Sequence, residues 1–320
     1  MGRSVDVVFL GTSGAVPSRE RFLSGILVRD WHGNTILLDA GEGVQLRLRQ
    51  AGYSPTDIDW VLVTHSHGDH VNGLAGLIQS MHVLGRREPL HIIGPETVTR
   101  FVLETLEVDK RRLGFQVYTT PISWGTIRGA TVLYEHGGDK LLAGWYKTCH
   151  TPDSYGFLLE WALRVRLDKD KLSALPRDRA RRAVEALLMT RPATRLRISY
   201  TGDTLPCENV VESSMGADLL IHDSSFSVEE EDAHEKGHST ALDAASTASL
   251  AGVGLLVLTH ISTRYSGYEA RRLLLEARRV FPRSILAYDL MRLRLEAPIL
   301  VADPARILDA LSQLEGQASR

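Results

Sequence analysis

The feature that most constrains this chain is the run Thr64-His65-Ser66-His67-Gly68-Asp69-His70, set directly behind an apolar stretch at residues 60–63. A short apolar stretch ending at a polar cluster reads as a buried strand that runs into a loop. In an extended loop, residues two apart project the same way, so His65 and His67 can grip one cation. Asp69 and His70, further along, can reach a second. Imidazole and carboxylate suit Zn2+ or Mn2+, with bonds of about 2.0–2.2 Å. One loop cannot close two such sites, so further ligands must come from elsewhere in the fold.

The rest of the chain supplies candidates. Apolar runs at residues 5–10, 25–28, 35–38, 90–93, 197–200, 217–221 and 255–258 read as strands. Residues 72–84, 240–250 and 267–280 have helical periodicity. Strands alternating with helices indicate an α/β protein. His150 closes an apolar run at 142–149, Asp203 follows the run at 197–200, and His260 follows the run at 255–258. In an open α/β sheet the strand ends gather along one edge, so these three residues can converge on the histidine loop. Asp203 is the natural bridge, because a carboxylate can give one oxygen to each cation. Two cations about 3.5–4 Å apart lower the pKa of a shared water toward ~7 and clamp the oxygens of an in-line displacement. That device suits hydrolysis of a phosphodiester or of an activated carbonyl, and the metals alone do not choose between them.

Composition narrows the partners. The formal net charge of −2 argues against a protein that coats nucleic acid or membrane with its whole surface. No run of eighteen apolar residues exists, and Asp6 interrupts the first apolar stretch, so neither a membrane span nor a signal peptide is expected and the chain reads as cytosolic. The two cysteines, Cys149 and Cys207, are too few for a disulfide framework or a thiolate zinc site. Residues 1–320 read as one domain carrying a basic helical insertion at 162–197. From residue 164 to 197, eleven basic residues face only four acidic ones, and Pro176 and Pro192 bracket a helical stretch at 177–189. Such density can contact several phosphates, and arginine's planar fork suits them. Residues 115–118 read as ordinary core.

The seven-residue run resembles the signature of the metallo-β-lactamase superfamily, and the wider pattern resembles one branch of it, ribonuclease Z, the endonuclease that trims the 3′ trailer from precursor tRNA. Phe9-Leu10-Gly11-Thr12-Ser13-Gly14-Ala15-Val16-Pro17-Ser18 resembles that family's opening strand and loop. Asp39-Ala40-Gly41-Glu42-Gly43-Val44-Gln45 resembles its Asp-x-Gly-Glu-Gly-x-Gln element. His150-Thr151-Pro152-Asp153-Ser154-Tyr155-Gly156-Phe157, Thr201-Gly202-Asp203-Thr204, His238-Ser239-Thr240-Ala241 and Thr259-His260-Ile261-Ser262 resemble later motifs in the right order.

The resemblance implies a four-layer αββα sandwich. It implies two Zn2+ per chain, one held by His65, His67 and His150, the other by Asp69, His70 and His260, with Asp203 between them. It gives Asp69 the task of orienting or deprotonating the attacking water. A carboxylate–histidine pair, matched here by Asp223 and His238, would assist the leaving oxygen. The family usually carries glutamate where Asp223 stands, so the shorter side chain must sit closer to His238 or leave a gap. The insertion at 162–197 occupies the interval of the family's tRNA-gripping arm but is short and lacks the Gly-Pro-rich knuckle. Arg177, Arg179, Arg181 and Arg182 are its candidate RNA contacts. Ser154, Tyr155 and Arg264 are candidate contacts to the scissile phosphate or the adjacent nucleotide. The expected function is zinc-dependent endonucleolytic removal of the 3′ trailer from precursor tRNA by a homodimer. The alternative is a two-metal phosphodiesterase acting on a small diester such as a cyclic nucleotide.

Overall fold

The computed structural model describes residues 3–107, 113–164, 166–167, 169–190, 193–230, 232–297 and 301–302. Among these, two seven-stranded sheets pack face to face. The first has the order β15 (Arg292–Glu296), β1 (Ser4–Gly11), β2 (Gly25–Arg29), β3 (Thr35–Leu38), β4 (Trp60–Leu62), β5 (Leu90–Pro95), β6 (Val117–Ile122). The second has the order β14 (Ser284–Leu286), β13 (Leu255–Thr259), β12 (Leu219–Asp223), β11 (Ala193–Tyr200), β9 (Tyr155–Arg164), β8 (Asp139–Lys147), β7 (Arg128–His136). Helices α1 (Val44–Gln50), α3 (Gly73–Val83) and α4 (Glu96–Arg100) cover the outer face of the first sheet, and the single turn α2 (Gly68–Val71) precedes α3. Helices α7 (Glu208–Ser214), α8 (Ala241–Ala251) and α9 (Gly267–Val280) cover the second. The four-layer αββα sandwich is therefore the architecture, as the motifs imply.

The apolar runs are continuous because both faces of each central strand are covered. Along β3, Ile36 and Leu38 enter the core between the sheets, while Leu37 turns outward into the layer beneath α1 and α3. Along β2, Ile26 and Val28 face inward and Leu27 outward. Each such fully buried Val, Leu, Ile or Phe stabilises by about 1.5–3 kcal/mol relative to exposure. Edge strands carry a weaker pattern. In β6, Tyr118 is 48% exposed, so residues 115–118 are core only in part, although Phe115 is buried.

Strands β9 and β11 are antiparallel neighbours over a long register, from Ala193↔Arg164 to Tyr200↔Phe157. The basic segment is thus an excursion that leaves one strand and re-enters its neighbour. It carries β10 (Arg166–Leu167), α5 (Lys169–Ser173) and α6 (Arg177–Thr190). Asp168, Arg191 and Pro192 of that segment lie outside the described residues. Strand β10 pairs in parallel with β16 (Val301–Ala302), so the chain's later part returns to the excursion, a contact that no local sequence signal announces. Among the described residues, no helix is long and apolar enough to cross a membrane.

Candidate metal centre

Strands β3 and β4 of the first sheet run parallel, as do β11, β12 and β13 of the second. Their carboxyl ends meet along one seam of the sandwich. Asp39 follows β3, the histidine loop follows β4, and Asp203, Asp223 and His260 stand at or just beyond the ends of β11, β12 and β13. Of the five non-glycine residues in the left-handed region among the described residues, three, Ala15 (φ 56°), Asp39 (φ 58°) and His260 (φ 59°), border this seam. Each such conformation costs about 1–3 kcal/mol and persists only where surrounding structure enforces it. Gly202 (φ 58°) makes the turn into Asp203, and a Cβ there would stand 2.7 Å from the Cβ of Thr64.

The candidate ligands fall into two sets that share one residue. Ligating atoms of His65, His67, His150 and Asp203 lie within 4.8 Å of one another, and so do those of Asp69, His70, Asp203 and His260. The shared carboxylate is split between them. Asp203 Oδ1 lies 3.3 Å from His70 Nε2 and 3.2 Å from His260 Nε2. Its Oδ2 lies 3.6 Å from His65 Nε2 and 3.8 Å from His150 Nε2.

Hydrogen bonds on the far side of each ring decide which nitrogen faces inward. His150 Nδ1 is 2.8 Å from the carbonyl of Gly237, which can only accept, so Nδ1 carries the proton. His70 Nδ1 donates to Asp39 Oδ2 at 2.7 Å. Ser225 Oγ gives its own proton to Asp223 at 2.7 Å and accepts from His260 Nδ1 at 2.8 Å. Thr64 Oγ1 likewise donates to Asp39 and accepts from His65 Nδ1 at 3.0 Å. In all four rings Nδ1 is engaged on the outer side and Nε2 is turned to the centre, which is the arrangement a cation needs.

The donor set also fits cations electrostatically. Asp39, Asp203 and Asp223 are almost fully buried, and buried carboxylates need compensating charge. His65 Nε2 and Asp203 Oδ1 are sealed from solvent without a hydrogen-bond partner, each a cost of about 1–3 kcal/mol that coordination would remove. Burial, and then His70 beside it, pushes the His65 imidazole well below its ordinary pKa, which keeps it in the neutral, metal-binding form.

Next to these sets stands the pair Asp223–His238, with His238 Nδ1 2.9 Å from Asp223 Oδ2. The shorter aspartate leaves no gap. It is held by the backbone N–H groups of Thr204 and Ser225, both at 3.1 Å. Burial alone would lower the His238 pKa, but Asp223, followed by Asp203, raises it to about 9.

Comparisons with known proteins place the chain in a family. The chain is 44% identical over 310 residues to the ribonuclease Z of Aeropyrum pernix, covering 92% of this chain and 99% of that protein. It is 37% identical to the ribonuclease Z of Saccharolobus islandicus, covering 91% and 100%. The chain belongs to the ribonuclease Z family. Residues 5–242 also match the family described as "Anti-Pycsar protein Apyc1", so the chain belongs to that family as well. Among solved structures, the short form of human tRNase Z superposes with a TM-score of 0.66 at 26% identity, covering 92% of this chain and all of that one. The metallo-β-lactamase fold protein YhfI of Bacillus subtilis superposes at 0.65 with 21% identity, covering 91% and 99%.

The remaining candidate residues of this ribonuclease Z family member divide between buried and exposed positions. Ser154 and Tyr155 are 1% and 0% exposed. Ser154 Oγ closes the turn at Thr148 and Thr151, while the Tyr155 backbone N–H donates to Thr64 across the two sheets at 3.0 Å. Both residues brace the His150 loop from inside. Arg264 pairs with Glu230 and lies over the ring of Phe226. Arg177, Arg179, Arg181 and Arg182 are exposed on α6, with Arg181 paired to Glu185.

Two residues without an assigned role in the motifs prove central. Asp39 accepts from His70, from the backbone and hydroxyl of Thr64, and from the Tyr200 hydroxyl at 2.7 Å. Tyr200 belongs to the second sheet and Asp39 to the first, so this bond ties the two halves of the centre together. Loss of such an outer partner costs about 10–100-fold in metal affinity. Tyr200→Phe should lose that much for the ion nearest His70, read by chelator competition, whereas Tyr146→Phe, which removes a buried phenol bonded to Ser199 instead, should leave affinity unchanged.

Proposed function

We propose that this chain cleaves the phosphodiester that joins the 3′ trailer to precursor tRNA, with two Zn2+ held by His65, His67 and His150 on one side and Asp69, His70 and His260 on the other. Mn2+ suits the same donors. The observation that carries the proposal is Asp203, fully buried, with one oxygen turned to each set. The ions, when bound, supply Lewis acidity for the scissile phosphate and lower the pKa of the attacking water.

The chain's own groups do the rest. Asp69 Oδ2 accepts the Ala15 N–H at 2.8 Å, which fixes the carboxylate that orients the attacking water and takes its proton. His238, fixed by Asp223, donates a proton to the departing 3′-oxygen. The products are a 3′-hydroxyl on the tRNA and a 5′-phosphate on the trailer. The segment 162–197, an excursion from one domain spanning 1–320, serves as the arm that holds the body of the tRNA through Arg177, Arg179, Arg181 and Arg182. A homodimer is the expected state.

The test is incubation with a precursor tRNA bearing a 3′ trailer, with and without chelator, and mapping of the ends. A single cut behind the discriminator nucleotide that chelator abolishes is expected; no cut, or one indifferent to chelator, contradicts the proposal. Replacing the four arm arginines together with alanine should lower the salt slope of tRNA binding by up to about four and weaken cleavage of the precursor, while hydrolysis of bis(p-nitrophenyl) phosphate stays at the parent rate. Equal loss on both substrates removes the arm from the account and favours a small-diester substrate.

A further inference from the structure

The turn between β6 and β7 crosses from one sheet to the other, and it holds two large apolar side chains out into solvent. Trp124 is 65% exposed and Ile127 is 61% exposed. The turn is not slack. Thr126 N–H donates to Ser123 O at 3.1 Å, Lys147 N–H donates to Ile127 O at 2.8 Å, and the Tyr155 hydroxyl donates to Ser123 O at 3.4 Å. Gly125, at φ 80°, supplies the left-handed step that no larger residue takes cheaply. A tryptophan displayed on so well-tied a turn is an exposed apolar surface kept in a fixed place.

Its position follows from the sheet order. Strand β6 is parallel to β5, and β5 to β4, so the end of β6 lies on the same edge as the histidine loop, two strands away. At about 4.8 Å per strand, that is roughly 10 Å. On the other sheet, Arg128 at the start of β7 pairs with Tyr146, near the end of β8 and four residues before His150. Tyr155, which bonds the turn through its hydroxyl, bonds Thr64 through its backbone, one residue from His65. Between the turn and His150 stands Lys147, its ammonium 4.8 Å above the Tyr155 ring and bonded to the carbonyls of Thr151 and Pro152. The turn thus flanks the metal centre on the His65–His150 side, with a positive charge in the interval.

A π-face beside a cation, about one nucleotide's reach from the reacting phosphate, matches the chemistry of unpaired nucleic acid, whose bases stack on aromatic rings whatever their identity. We propose that Trp124, backed by Ile127, is a stacking platform for an unpaired nucleobase next to the scissile phosphate, with Lys147 facing the backbone between. This deepens the function proposed above and rests on it.

The experiment compares the parent with Trp124→Ala and Trp124→Phe, each metal-loaded and full length, on trailer-bearing precursor tRNA and on bis(p-nitrophenyl) phosphate. Stacking is worth about 5- to 150-fold per base on alanine substitution. Trp124→Ala should lose that much in kcat/KM on the precursor, through KM, and Trp124→Phe should recover most of it. The small diester should be hydrolysed at the parent rate by all three. Undiminished precursor cleavage by Trp124→Ala overturns the platform while leaving the function intact. So does an equal loss on both substrates, or a shift in sedimentation showing that the patch meets a second copy of the chain. Failure of the parent to cut precursor tRNA removes both.

Discussion

Asp203→Ala lowers phosphodiester hydrolysis by about three orders of magnitude or more, on precursor tRNA and small diesters alike. The expectation follows from where the two oxygens point. Oδ1 stands 3.2–3.3 Å from His70 and His260, and Oδ2 stands 3.6–3.8 Å from His65 and His150. Alanine removes one donor from each set at once and leaves the imidazoles around a centre with less negative charge. Two-ion clamping contributes several kcal/mol to transition-state stabilisation, and each ~1.4 kcal/mol is tenfold in rate. Rates of the variant and parent at saturating Zn2+ measure it. A loss below tenfold would remove Asp203 from the bridge.

Asp223→Asn and His238→Gln both act on the leaving group. General acid catalysis contributes about 10²–10⁴-fold, so each variant should lose that much on precursor tRNA, whose departing 3′-oxygen is poor without a proton. p-Nitrophenolate departs readily unprotonated, so bis(p-nitrophenyl) phosphate should be hydrolysed at close to the parent rate. Asp223→Asn disturbs more than the proton, because Asp223 also accepts from Ser225, which accepts from His260. His238→Gln isolates the acid, and its metal content should equal the parent's. Equal losses on both substrates would place His238 among the groups that hold the centre instead.

Much of the fold was legible because burial on both faces writes strands as unbroken apolar runs. Strands β1 to β5 and β11 to β13 fall where those runs lie. Edge strands were not legible in the same way. In β7 the burial alternates between exposed and intermediate, and β15 alternates arginine with leucine at the sheet's border, so neither carries a core strand's signal. The ligand candidates were visible because their chemistry is unusual at strand ends. What holds them was not, since Asp39 meets Tyr200 across 161 residues and Gly237 meets His150 across 87. Arg264 likewise has a partner that its local sequence does not announce, Glu230, 34 residues away. Ser154 and Tyr155 are buried, which their motif alone does not tell.

We propose that seven side chains from two sheets hold a pair of cations around one carboxylate. Metal content of the purified, chelator-free protein, measured alongside Asp203→Ala, tests it most directly. Two Zn2+ per parent chain, with both weakened together in the variant, is the predicted result. One ion or none in the parent, or full loading of the variant, would contradict it.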